Sequence, residues 1–341
     1  MKKNKNLITN PVYKLEESDL WAKGRRRLIY KIFQKLFQFF QKRGIHITAN
    51  HYYSPIPDTR TLTNNVFLKQ TKLIGIDINE KRQLELLTIF ENNYKKEFDK
   101  FPRDKTKIPY QYYTNNGMFR GVDAETLYSM IRYFKPKRII EIGSGFSTFC
   151  SAQAILKNKE EDQEIECELI SIEPYPMEII RKGFPGLSKL IQKKIQDVDL
   201  SEFKKLNEND ILFIDTSHVL KIGGDVQYEY LEILPSLNKG VIVHIHDILL
   251  PTEYPRHFVF NLFRFWSEQY LLQAFLIYND SFDVLWMAKY MSLKHKKRLL
   301  NTFNSLRLDT EEFLQLGPKV LKDYSIIPPG WPCSFWMKKV K

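Results

Sequence analysis

The chain has 341 residues, 43% hydrophobic and 14% aromatic, which is ample for a core and excludes a disordered chain. Three cysteines, Cys150, Cys167 and Cys333, are odd in number and lack metal-ligand spacing, so a reduced, cytoplasmic setting is expected and a disulfide framework is not. Net charge is +12 and most of it sits at one end, where residues 1–50 hold twelve Lys or Arg against three acids.

No apolar run approaches the length of a bilayer span. The lysine-rich start passes into Asn, Pro and Glu, unlike the apolar core of a signal peptide. Residues 1–45 read as a basic, amphipathic helical extension. Ile29, Ile32, Phe33, Leu36, Phe37 and Phe40 share one helical face, with Lys31, Gln34, Lys35 and Gln38 largely opposite. Such a helix either packs on the body of the protein or, through residues 25–43, makes peripheral contact with the inner membrane face. No specific nucleic-acid partner is expected, because the basic stretch carries no recognised fold signature.

Residues 46–122 read as a cap or lid of loop and helix. His51-Tyr52-Tyr53-Ser54-Pro55-Ile56-Pro57-Asp58 cannot be regular helix, and Tyr53 and Asp58 are of types that line substrate pockets. A charged helix is expected from about Asn79 to Lys100, with Leu84, Leu87, Ile89 and Phe90 as its apolar positions, and a turn at residues 115–119. Asp123 is expected to cap a helix whose inner face is Leu127, Met130, Ile131 and Phe134, ended by Pro136.

Residues 123–341 read as the catalytic domain, organised around its first strand. Arg138 to Ile142 is short, apolar and β-branched, as a buried parallel strand requires. Gly143-Ser144-Gly145 follows, then Ser147 and Thr148 where a helix starts. Strand, glycine turn and helix make a corner where backbone can approach a ligand and free N–H groups can meet polar atoms. A second strand, Leu169 to Ile172, ends in Glu173, an acid placed to accept both hydroxyls of a ribose. Its distance from Gly145 exceeds the usual spacing of about 20 residues, and the polar insert Lys157 to Glu166 accounts for this.

A dinucleotide fingerprint wants a third glycine where this chain has Thr148. Glu141-x-Gly143-x-Gly145-x-Ser147-Thr148 instead resembles motif I of the class I S-adenosylmethionine-dependent methyltransferases. The resemblance implies that Glu141 organises the loop under the methionine moiety. It also implies that an acid after a third strand, here near Leu190 to Ile195, faces the adenine; Asp197, with Val198, is the candidate.

Strand four, Ile211 to Ile214, ends in Asp215-Thr216-Ser217-His218, and strand five, Val241 to Ile245, ends in His246-Asp247. Two strand tips thus each deliver an Asp and a His to the carboxyl edge, where open α/β sheets carry their sites. His246 or His218 could take a proton from an attacking hydroxyl, with Asp247 beside them. Alternatively Asp215, His246 and Asp247 hold a divalent cation such as Mg²⁺, or Asp215 only contacts the cofactor. The Asn/Asp-Pro-Pro-aromatic tetrapeptide of amino-methylating enzymes is absent after strand four, so oxygen is the expected acceptor.

Pro251-Thr252-Glu253-Tyr254-Pro255 reads as half of a substrate lid facing the Tyr52–Asp58 loop, with Tyr254 a substrate candidate. A helix to about Tyr278, strand six at Phe282 to Met287, a basic helical insert at Lys294 to Leu316 and an antiparallel strand seven at Ser334 to Lys338 complete the chain.

Phe213 to His218, Gly224-Asp225-Val226, Gly240 to Ile248 with Pro251, the His51–Asp58 loop and Ser334-Phe335-Trp336-Met337 together resemble methyltransferase domain 24, akin to cephalosporin-hydroxylase-like and sugar O-methyltransferases. Thr216-Ser217 stands where that family usually has a glycine. The implied fold is a doubly wound, seven-stranded Rossmann-like α/β sheet with its last strand antiparallel and a helical N-terminal extension. The implied activity is S-adenosylmethionine-dependent O-methylation of a small molecule or sugar precursor. The rivals are an NAD-dependent oxidoreductase and a basic RNA-binding methyltransferase.

Overall fold

A computed structural model describes residues 24–119, 121–315 and 332–341. The start of the basic extension, residues 1–23, and Leu316 at the end of the basic insert lie outside the described residues. The chain divides into two compact units, one up to Thr63 and one from Asn64 onward. None of the described helices is long and apolar enough to cross a membrane.

In the first unit the expected amphipathic helix forms over Gly24–Gln41. A loop follows, and Asp58 caps the single turn Thr59–Thr61 by accepting from the Arg60 amide.

The second unit is built on a seven-stranded sheet in the order β3-β2-β1-β4-β5-β7-β6. Its strands are β1 (Arg138–Ile142), β2 (Glu168–Ile172), β3 (Lys189–Ile191), β4 (Ile211–Ile214), β5 (Ile242–Ile245), β6 (Phe282–Met287) and β7 (Phe335–Lys339). β1 to β5 are parallel, and β7 runs antiparallel between β5 and β6. Both faces of β1, β2, β4 and β5 are covered, which is why apolar residues predominate in these strands, with Glu141, Ser171 and His244 as buried polar exceptions.

Strand register positions the site. Ile142 lies opposite both Ile172 and Ile214, and Ile214 lies opposite Ile245. The residues that follow, Gly143, Glu173, Asp215 and His246, therefore stand in one row along the carboxyl edge.

Helices differ from expectation in detail. The charged helix ends at Asn93, and a separate turn covers Lys95–Phe98, because Tyr94 leaves helical geometry with φ −121°. The helix before β1 runs Val122–Phe134, but Asp123 does not cap it. Its carboxylate instead accepts from the backbone amides of Cys333 and Ser334, at 3.0 and 2.9 Å, tying the helix start to the start of β7. β3 stops at Ile191, and Ile195–Asp197 is a separate 3₁₀ turn. A short helix, Ala288–Lys294, follows β6, and the described part of the basic insert forms two more, Lys296–Thr302 and Asn304–Gln315.

Candidate active site

The glycine corner is pressed against the tip of β4. Gly143 has φ +89°, and a Cβ placed on it would lie 2.1 Å from the Asp215 carbonyl oxygen, so no larger residue fits without moving backbone. Its amide donates to Ile172 O, the Asp215 amide to Ile142 O and the His246 amide to Ile214 O, extending each ladder one residue past its strand. Gly145 is different: a Cβ there would meet nothing within 4 Å.

Ser147 and Thr148 hold the corner itself. The Ser147 hydroxyl donates to Glu141, and Thr148 Oγ1 accepts from the Gly145 amide at 3.0 Å. Burial pushes the Glu141 carboxyl up to about 8, against the hydrogen bond from Ser147. The second oxygen of Glu141 and the hydroxyl of Ser144 are buried without a hydrogen-bond partner among the described residues. On the next strand, half-buried Glu173 accepts from the Tyr175 amide through Oε1 at 2.8 Å. Asp197 is exposed in the turn beyond β3, and Val198 beside it is buried.

The two Asp–His tips interlock. His218 takes a left-handed backbone, φ +58°, and its ring is buried. Nδ1 lies 2.8 Å from Glu268 Oε2, while Nε2 lies 3.3 Å from Asp215 Oδ1 and 3.4 Å from Asp247 Oδ2. Trp266 packs against the ring at 4.4 Å, and the His218 carbonyl accepts from the amides of Ser267 and Glu268. Burial alone would lower the His218 pKa, but Asp215, Glu268 and Asp247 raise it well above the ordinary imidazole range. Asp215 shows the converse: burial raises it, and the charges of His246 and His218 with the His218 hydrogen bond carry it well below the usual carboxylate range.

His246 faces a different set. Its Nε2 lies 3.7 Å from Cys333 Sγ, and that sulfur is 3.3 Å from both Asp123 Oδ2 and Asp247 Oδ1. The ring packs against Phe119 at 4.9 Å, and Nδ1 is buried without a partner among the described residues. Burial lowers the His246 pKa, and Asp215, Asp247 and Asp123 together more than reverse this. Asp247, with φ +56°, therefore turns one oxygen to each histidine's group. Ligand atoms of Asp215, His218 and Asp247 lie within 4.8 Å of one another, and so do those of Asp123, His246 and Cys333. The histidine between the two strand-tip aspartates is thus His218, whereas the sequence reading put His246 there.

Residues 140–248, which contain this row, match the model of a methyltransferase-domain family. An uncharacterized protein of Archaeoglobus fulgidus is 38% identical over 168 residues, covering 47% of this chain and 74% of its own length. Residues 140–248 thus belong to the methyltransferase-domain family. Among solved structures, a candidate protein-L-isoaspartate O-methyltransferase of Plasmodium falciparum, in complex with S-adenosyl-L-homocysteine, is 19% identical. That match covers 36% of this chain and 58% of the other, with a TM-score of 0.26. A candidate methyltransferase of Thermobifida fusca is 14% identical, covering 63% and 79% of the two chains, with a TM-score of 0.35. Likeness at these scores informs neither ligand nor reaction.

The remaining expected residues of the methyltransferase fall in two places. Tyr254 is buried, its hydroxyl accepts from the Gln269 amide at 3.1 Å, and its ring packs with Trp266. Tyr53 and Asp58 belong to the first unit, where Tyr53 is exposed and Asp58 pairs with Arg60 at 2.6 Å. The hydrogen bond from Arg60 holds the Asp58 carboxyl well below its usual range.

Three residues of this cluster were missed by sequence reasoning: Glu268, Asp123 as a strand anchor, and Cys333. Glu268 and Asp123 are acids within amphipathic helices, and only their burial distinguishes them from surface charges. A usable signal for Glu268 was its place two residues after Trp266, as the one charged residue of the helix Glu268–Leu276.

Proposed function

We propose that this protein transfers the methyl group of S-adenosyl-L-methionine to a hydroxyl oxygen of a small molecule, with a sugar or glycan precursor as the acceptor class. The observation that carries the reading is the row of Gly143, Glu173, Asp215 and His246 along one sheet edge, level by register. The residues suit the cofactor. There is open space over Gly145, and Ser144 and Glu141 each present a buried polar atom without a partner. When bound, the cofactor supplies an electrophilic methyl carbon on sulfonium sulfur.

The chain's own residues do the rest. Ser144 and the carboxyl of Glu141 would line the methionine end, while Glu173 has its second oxygen for the ribose hydroxyls. Asp197, exposed next to buried Val198, would take the adenine edge. Both nitrogens of His218 face carboxylates, so it serves to fix Asp215 and Asp247. His246 keeps a ring nitrogen without a partner and is the base that receives the acceptor's hydroxyl proton as the oxygen attacks.

A second reading rests on the same distances. Asp215, His218 and Asp247 would together hold a divalent cation, Mg²⁺ or a softer metal given the imidazole, and it would polarise the acceptor hydroxyl. Glu268 on Nδ1 is the kind of partner that metal-bound histidines carry. The family match over residues 140–248 favours a methyltransferase over an NAD-dependent oxidoreductase.

The test is calorimetric titration with S-adenosyl-L-homocysteine and with NAD, followed by homocysteine-nucleoside release against nucleotide sugars, with and without chelator. Heat with the nucleoside and none with NAD is expected; no heat with the nucleoside rejects the reading. Loss of turnover on chelation selects the cation, and unchanged turnover selects His246 alone.

A further inference from the structure

We propose that the Gly24–Gln41 helix seats this protein on an anionic lipid surface. The inference is independent of the methyl-transfer reading, because it rests on the first unit alone.

Charge is the first observation. No Asp or Glu occurs between Asp19 and Asp58, and that interval holds eight Lys or Arg. Acids at i,i+4 from the bases would steady such a helix, and this one has none. All its charges are bases, carried by residues 25–35, and Lys31 and Lys35 lie opposite the apolar stripe.

The stripe is the second observation. Within the first unit, Ile32, Phe33, Leu36 and Phe39 remain 41–50% exposed although the segment is helical. Arg43 lies over the Phe39 ring, 3.7 Å from its centroid, and donates to the Phe39 carbonyl. An aromatic ring capped by a cation in this way suits the boundary between headgroups and acyl chains.

These two features select the occupant. A second copy packed stripe to stripe would cover the apolar side chains but leave Lys31 and Lys35 in water with no acid to offset them. A nucleic acid would meet the bases and leave four large apolar side chains in water. Lipid with anionic headgroups satisfies both, with the apolar face sunk below the headgroups and the lysines above it. Among the described helices none can span a bilayer, so the contact is peripheral.

The full-length protein would be sedimented with sucrose-loaded vesicles of equimolar phosphatidylglycerol and phosphatidylcholine, and with pure phosphatidylcholine. Two double variants accompany it, Phe33→Glu with Leu36→Glu and Lys31→Glu with Lys35→Glu, each checked by thermal melting for an unchanged second unit. The expected result is pelleting with anionic vesicles at least tenfold above neutral ones, reduced tenfold or more in both variants. Absence of pelleting with anionic vesicles overturns the proposal. So does equal pelleting by the Phe33/Leu36 variant, since charge alone would then suffice. Tight binding of poly(U) RNA that survives in the Phe33/Leu36 variant and fails in the Lys31/Lys35 variant overturns it in favour of nucleic acid. A dimer that becomes a monomer only in the Phe33/Leu36 variant overturns it in favour of a second copy.

Discussion

His218 Nδ1 lies 2.8 Å from the carboxylate of Glu268, a fully buried acid fifty residues further along the chain. The pairing places a proton on Nδ1 and aims Nε2 at Asp215 and Asp247, so Glu268 sets how the two strand-tip carboxylates are held. Glu268→Gln keeps the shape and removes the charge. Methyl transfer is expected to fall roughly 10- to 100-fold, the range seen for partners behind a working histidine. Affinity for S-adenosyl-L-homocysteine should stay within threefold, and the His218 ring ¹⁵N shifts should move. An unchanged rate together with unchanged shifts would remove Glu268 from the site.

Gly143→Ala is expected to disrupt the corner. The added methyl would lie 2.1 Å from the Asp215 carbonyl, on a residue already at positive φ. The expected loss is about 2–4 kcal/mol of stability from strain and overpacking, with cofactor binding lost to calorimetry. Gly145→Ala, where the space is open, should melt like the parent yet bind the cofactor at least tenfold more weakly.

Glu125 makes stability depend on pH. Burial pushes its carboxyl up to about 8, against the hydrogen bond from Ser305, from an ordinary value of 4.5. Between those values the folded chain keeps a proton that the unfolded chain has lost, so stability falls as pH rises from about 4.5 to 8. Glu125→Gln should flatten that limb, matching the parent near pH 4.5 and exceeding it at pH 8 by a few kcal/mol at most, each pKa unit being worth about 1.4 kcal/mol. Urea denaturation at the two pH values measures it; an equal gap at both would refute the assignment.

Asp123→Ala should leave the Cys333 and Ser334 amides buried without acceptors. A cost of roughly 2–5 kcal/mol is expected from two such groups. Hydrogen exchange should quicken first at β7, and protection there equal to the parent's would show that water replaces the carboxylate.

Much of the fold was legible because parallel strands covered on both faces are rich in apolar, β-branched residues. Ile211 to Ile214 announces itself as an unbroken run, and Ile139 to Ile142 is broken only by Glu141. The strand tips were legible for a related reason, since an Asp and a His directly after such a run can only stand at its carboxyl end. Which histidine met which acid was not legible. His218 reaches back between Asp215 and Asp247 because its backbone turns left-handed, and nothing in Asp-Thr-Ser-His marks that turn. The short extent of β3 was hidden too, since Leu190 to Ile195 has apolar positions that suit a strand or a 3₁₀ turn alike.

β7 enters the sheet between β5 and β6 although it is made some ninety residues after β5. During synthesis both histidines are therefore present long before Cys333 and the strand that follows it. Until then β5 and β6 each offer an unpaired edge, open to pairing with another chain. Protection of the β5 and β6 edges thus waits on β7, the last of the seven strands to be made.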